Sequence, residues 1–199
     1  QVAWEYNRGK PLSWWKLDEC TGTTAYDSGA LGNNGTITIG ATGANTSIGT
    51  CSSGTSTEAW NNGTTGKLNS SLDFDGTDDT IAISTIATDV EEITVAAWIN
   101  REGGYGAYRA ILNSNGWAAG FLHWQFRTND TFGFSVNGSS PADVESTTTF
   151  TTSGWHQVAT TYDSNSKVVS IYVDGELDKQ TTLTTAREVD ISSAVLHIG

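Results

Sequence analysis

Leu12–Ile37 reads LSWWKLDECTGTTAYDSGALGNNGTI. Trp14, Trp15 and Leu17 form a short aromatic strand, which runs into an acidic loop studded with Gly and Asn: Asp18, Glu19, Asp27, Asn33 and Asn34. Such a loop suits a connection between strands, because Gly and Asn tolerate turn conformations and Asp ties its own backbone. The rhythm continues outward. Val95, Ala97 and Ile99 alternate with Ala96, Trp98 and Asn100, and Val169, Ile171 and Val173 alternate with Ser170, Tyr172 and Asp174, the two-residue period of a strand. Asp75-Gly76, Asn115-Gly116, Asn137-Gly138 and Asp174-Gly175 stand beside apolar runs as hairpin signals. Together these predict an all-β, antiparallel two-sheet β-sandwich with minimal helix and roughly six to seven strands per sheet.

A chain of 199 residues supports one well-buried core, and no stretch reads as a linker between two compact bodies. With a net charge of -12 and ten scattered basic residues, it lacks the Lys/Arg clusters that phosphate backbones and anionic lipid require. No nucleic-acid partner and no direct membrane insertion are expected; cations and neutral sugars fit better. No signal peptide or transmembrane run is visible, and the chain begins at Gln1, so any export signal or anchor is expected outside this sequence.

Cys20 and Cys51 flank a polar stretch rich in Gly, Thr and Ser. A disulfide there would staple a segment too polar to hold itself by burial, with a loop-closure benefit of roughly 3–4 kcal/mol. The competing reading is two free thiols in a reducing compartment. Residues 40–66 read as a long surface insertion held by that bridge.

The opening segment, with SLDFDGTDDTIAI from Ser71, ITVAAWIN from Ile93, GWHQVATTYD from Gly154 and VSIYVDGEL from Val169, resembles a LamG-like jellyroll domain of the concanavalin A-like lectin/glucanase superfamily, close in type to the pentraxins. The resemblance spans nearly the whole chain. It implies a jellyroll over 12–199, preceded at 1–11 by a strand or a linker from a longer protein, and an extracellular or cell-surface location. It also implies a closing strand after Leu196-His197-Ile198-Gly199, which this sequence does not contain. Either the sequence is an excerpt, or Gln1–Asn7, with Val2, Trp4 and Tyr6 on one face, fills the gap in this molecule or the next. The expected core comprises Trp15, Leu17, Leu72, Phe74, Ile83, Val95, Trp98, Ile111, Phe134, Trp155, Val158, Ile171 and Val173.

Two loops carry enough hard oxygen donors for calcium, which takes six to eight of them: the opening acidic loop, and Asp73, Asp75, Asp78 and Asp79 in DFDGTDD. The resemblance favours Asp27, Asn33, Asp75 and Asp78 as ligands. The alternative is that Asp75-Gly76 is simply a hairpin turn and Asp27 caps its own loop. A sugar platform needs a flat aromatic beside polar donors and acceptors. With Trp98 and Trp155 assigned to packing, the region from Tyr105 to Trp124 is the place for it: Tyr105, Arg109, Asn113, Asn115, Trp117 and Trp124, with Tyr108 and His123 nearby. Trp60 is a second platform candidate, and the alternative for Trp124 is an inward-facing core residue.

Catalysis finds no support. The laminarinase branch of the superfamily uses E-x-D-x-x-E, and Glu188-Val189-Asp190-Ile191-Ser192-Ser193 places Ser193 where the second Glu belongs. The three histidines have no zinc spacing. The expectation is therefore a non-catalytic carbohydrate- or ligand-binding module of a bacterial cell-surface or secreted protein, its loops ordered by calcium and its partner a cell-surface glycan. The alternative is a structural or adhesive subunit of a surface appendage that contacts other copies of itself or neighbouring domains through its terminal strands.

Overall fold

The structure, a computed structural model, describes residues 11–84 and 88–199. The proposed strand with Val2, Trp4 and Tyr6 lies outside the described residues. The chain divides into two compact units, Gln1–Ser84 and Thr85–Gly199. Among the described residues no helix is long and apolar enough to cross a membrane.

In the first unit, β1 (Thr24–Ala25), β2 (Gly35–Thr38) and β3 (Thr80–Ile83) pair antiparallel in that order. Among the described residues the remainder, one short helix apart, is loop, ordered by polar ties and by one buried indole. Trp15 and Asp27 form an isolated bridge, and the Trp15 indole N–H donates to the Asn33 carbonyl at 2.8 Å. The expected disulfide joins Cys20 to Cys51. It is not the sole anchor of segment 40–66: the short helix α1 (Ala59–Asn62) buries Trp60 completely, with its indole N–H on the Gly22 carbonyl at 3.0 Å. Trp60 is thus the packing centre of the insertion rather than an exposed platform.

The second unit is an antiparallel sandwich. Its strands are β4 (Glu92–Asn100), β5 (Arg109–Ser114), β6 (Leu122–Phe126), β7 (Thr131–Val136), β8 (Asp143–Thr149), β9 (Trp155–Asp163), β10 (Val168–Val173), β11 (Glu176–Thr182) and β12 (Leu196–Ile198). Within this unit the order is β12-β5-β6-β7-β8 in one sheet and β11-β10-β9-β4 in the other. Inward-facing Trp124, Phe126, Phe132 and Phe134 meet Val158, Tyr162, Val169 and Ile171 in the core. The Trp124 indole donates to Thr160 Oγ1 across the sandwich at 3.0 Å, and its ring sits edge-on to Phe132.

Several expected core positions differ. Leu72, Ile83, Phe134, Val158 and Ile171 are buried, whereas Trp98 is 43% exposed. Alternation gives the reason: Val95, Ala97 and Ile99 face inward, so Trp98 shares the outer face with Thr94 and Ala96. Trp15, Leu17, Phe74, Ile111, Trp155 and Val173 are half-buried.

Two further ties hold the second unit. Asp178 on β11 accepts hydrogen bonds from the backbone N–H groups of Thr147 and Thr148 on β8, at 2.6 and 3.0 Å, and from both threonine hydroxyls. It joins an edge of one sheet to an edge of the other. At one end of the sandwich, the buried Arg101 guanidinium donates to the Phe150 and Gly104 carbonyls and pairs with Asp130 at 2.9 Å.

Candidate functional site

In the first unit the DFDGTDD loop folds back on residues 40–45. Ligand oxygens of Asp75, Asp78 and Asp79 lie within 4.8 Å of one another. Each carboxylate is aimed by backbone: Asp75 by the N–H groups of Asn45 and Thr77, Asp78 by Thr42, and Asp79 by Gly40 and Asp75. Two glycines make room for them. A Cβ on Gly40 would fall 1.8 Å from the Asp78 carboxyl carbon, and one on Gly43 would fall 2.1 Å from Asp75 Oδ2.

The fully buried Asn45 amide donates to Asp73 Oδ2 at 3.0 Å and Asp79 Oδ2 at 3.2 Å. Burial raises the Asp73 pKa, and the charges of Asp79 and Asp75 add to the rise against the hydrogen bond from Asn45. Like charges gathered this closely disfavour one another's ionised form unless hydrogen bonds or a cation compensate them. The donors of this cluster could hold a metal ion.

Asp27 and Asn33 stand together in another loop. Asp27 accepts backbone N–H bonds from Trp14, Gly29 and Asn33 at 2.6, 2.7 and 2.8 Å. Burial opposes its ionisation, but these bonds outweigh it and hold the pKa low. Asp75 and Asp78 are thus brought together with Asp79, while Asp27 and Asn33 organise the opening loop. Sequence reasoning placed Asp79 in the acidic stretch but not among the favoured ligands.

In the second unit, strand register lines up His197, Asn113, His123, Ser135 and Asp143 across β12, β5, β6, β7 and β8. Alternation puts this polar row on the face opposite Trp124. Over it, in the β5–β6 loop, lies Trp117, 79% exposed. One face of its ring stacks on His123 at 4.4 Å with 20° between planes; the other faces solvent. Burial lowers the His123 pKa, against opposing pulls from the Gly116 backbone and Asp143. The stack is therefore an indole on a neutral imidazole. Asn113 is held by its own strand pair, donating to Gln125 Oε1 at 3.2 Å and accepting from the Trp124 N–H at 2.9 Å.

The remaining expected ligand residues are dispersed. Asn115 begins the Trp117 loop, its N–H on the Val195 carbonyl. Tyr105 packs on Arg101 at the opposite end, its hydroxyl on the Arg101 carbonyl at 3.1 Å. Arg109 donates to the Tyr108 carbonyl at 2.9 Å. Trp124 is 2% exposed and is a core residue, since its edge is spent on Thr160 and neither ring face reaches solvent. In the glycosidase-like segment, the Ser193 hydroxyl and N–H hold the Asp190 carboxyl ionised, with its pKa lowered. That is the wrong state for a general acid.

The two antiparallel sheets form a sandwich of jellyroll type. The chain belongs to the concanavalin A-like lectin/glucanases superfamily, whose laminin G-type family model matches residues 75–199. No curated protein matches it. Among solved structures, a point mutant of HCR/D is 17% identical, with a TM-score of 0.55, over 97% of this chain and 44% of that one. A Bacteroides ovatus protein provisionally described as carbohydrate-binding is 19% identical, with a TM-score of 0.48, over 59% of this chain and 33% of that one. The CBM40 module of a Ruminococcus gnavus sialidase, bound to α2,3-sialyllactose, is 15% identical, with a TM-score of 0.46, over 60% of this chain and 76% of that one. The chain thus spans less than half of the first two.

Proposed function

We propose that this chain is a non-catalytic carbohydrate-binding module of a bacterial cell-surface or secreted protein, with Trp117 as its sugar platform and calcium at Asp75, Asp78 and Asp79. The observation that carries the reading is the Trp117–His123 stack. A large indole that is 79% exposed yet braced on one face by a second ring is pre-ordered for the apolar C–H face of a pyranose. The polar row beneath supplies hydroxyl partners, and membership of a superfamily of lectins and glucanases agrees with a sugar-facing role. Calcium would order the acidic loop of the first unit.

The test is a broad glycan array, run with calcium and again with a chelator. Retention of a glycan, lost in Trp117→Ala, upholds the reading. Silence in both conditions, with self-association in solution, favours the structural subunit instead.

A further inference from the structure

The loops at the Trp117 end of the sandwich enclose a groove of about 480 Å³, lined in part by Ala119, Gly120, Arg187, Glu188 and Asp190. Its polar groups fall into two kinds. Asp190 is tied to Ser193 and Asn165 to Glu91. By contrast, the Arg187 guanidinium and the Glu188 carboxylate, both exposed, have no ion pair or side-chain hydrogen bond among the described residues. The Arg187 backbone is held firmly nonetheless, its N–H on the Tyr162 hydroxyl at 3.0 Å and its carbonyl accepting from that hydroxyl at 2.5 Å. A free donor fork and a free acceptor, adjacent in sequence on an anchored backbone, are thus presented to solvent.

A single turn approaches both the groove and the platform. His123, beneath Trp117, faces the Asn137 amide at 3.4 Å. A Cβ built on the next residue, Gly138, would lie 3.5 Å from Arg187 Nε and 3.6 Å from the Ala119 side chain. The Asn137-Gly138 turn therefore has the Trp117–His123 stack on one side and Arg187 on the other. Gly120 lets the walls close: its backbone N–H donates to the Asn137 carbonyl, and its own carbonyl accepts from the Asp190 N–H.

We propose that the Arg187–Glu188 groove is a second subsite, which takes the sugar next to the one stacked on Trp117, and that it selects neutral, hydroxyl-rich glycans of two or more units. The inference rests on the platform reading above. Vicinal hydroxyls both donate and accept, so a guanidinium and a carboxylate side by side suit them. Asp89, Glu91, Glu188 and Asp190 against Arg187 make the groove repel anionic sugars.

The experiment measures Kd for mono-, di- and trisaccharides of the cello, manno and xylo series, with sialyllactose as the anionic probe. Wild type is compared with Trp117→Ala, Arg187→Ala and Glu188→Gln. The expected result is that a neutral disaccharide binds about tenfold or more tighter than its monosaccharide. Arg187→Ala and Glu188→Gln lose that gain while keeping monosaccharide binding, and Trp117→Ala loses both. A length gain that survives both groove variants, or preferred binding of sialyllactose, overturns the second subsite and leaves the platform standing. Absence of any glycan binding overturns both. Unchanged circular dichroism and Tm in the groove variants show that the fold is intact.

Discussion

Trp117 lies nearly parallel on His123, ring centroids 4.4 Å apart. The exposed ring owes its fixed orientation to the buried one, so the platform and its support can be separated by mutation. Trp117→Ala is expected to weaken glycan binding by tenfold or more, by the order of a few kcal/mol that aromatic anchors contribute, while Tm changes little. It also uncovers His123, whose NMR titration should move up towards 6.5, its ordinary value.

The buried imidazole has a pH signature of its own. Burial depresses the folded pKa of His123 below 6.5, so its contribution to stability is complete above 6.5 and is lost as pH falls through the folded value. Tm measured from pH 8 to 5 should fall in that acidic window, and His123→Gln should flatten this part of the profile.

Calcium should raise Tm, and a chelator should reverse the rise. At one hundred times Kd the gain is about 2.7 kcal/mol. Asp75→Asn, Asp78→Asn and Asp79→Asn should each abolish the calcium-dependent shift, as read by calorimetry with and without the ion.

Trp60 is fully buried in the insertion. Trp60→Ala is expected to cost about 3–5 kcal/mol and to leave monosaccharide binding at Trp117 unchanged if the second unit stays folded. Chemical denaturation monitored by circular dichroism measures the loss.

Removing the disulfide tests the other anchor of that segment. The bridge closes a separation of 31 residues, so Cys20→Ser with Cys51→Ser should lower stability by about 3.7 kcal/mol in the chain-entropy model. Urea unfolding of the double variant gives the value.

The parts legible in the sequence were those written in local period and turn chemistry. The alternation in Glu92–Asn100 and Val168–Val173 became β4 and β10, and Cys20 and Cys51 met as the polar stretch between them suggested. Misassignments arose where motif position overruled that alternation: Val95 and Trp98 have opposite parity, so both could not face the core. Trp60 was misread because its burial depends on the carbonyl of Gly22, 38 residues away. Asp79 gained its place in the acidic cluster through Asn45, at a separation of 34. Arg187 carried no motif, and its significance arises where two distant turns converge.

The reach of Asp178 to Thr147 and Thr148 has a consequence beyond joining two sheets. An edge strand with open amide hydrogens invites another molecule's strand, the first step of fibrous association. Here a carboxylate occupies two of those donors on β8, taking the place a neighbouring strand would have filled. Asp178→Ala should therefore shorten the protein's shelf life in concentrated solution before it harms any sugar affinity.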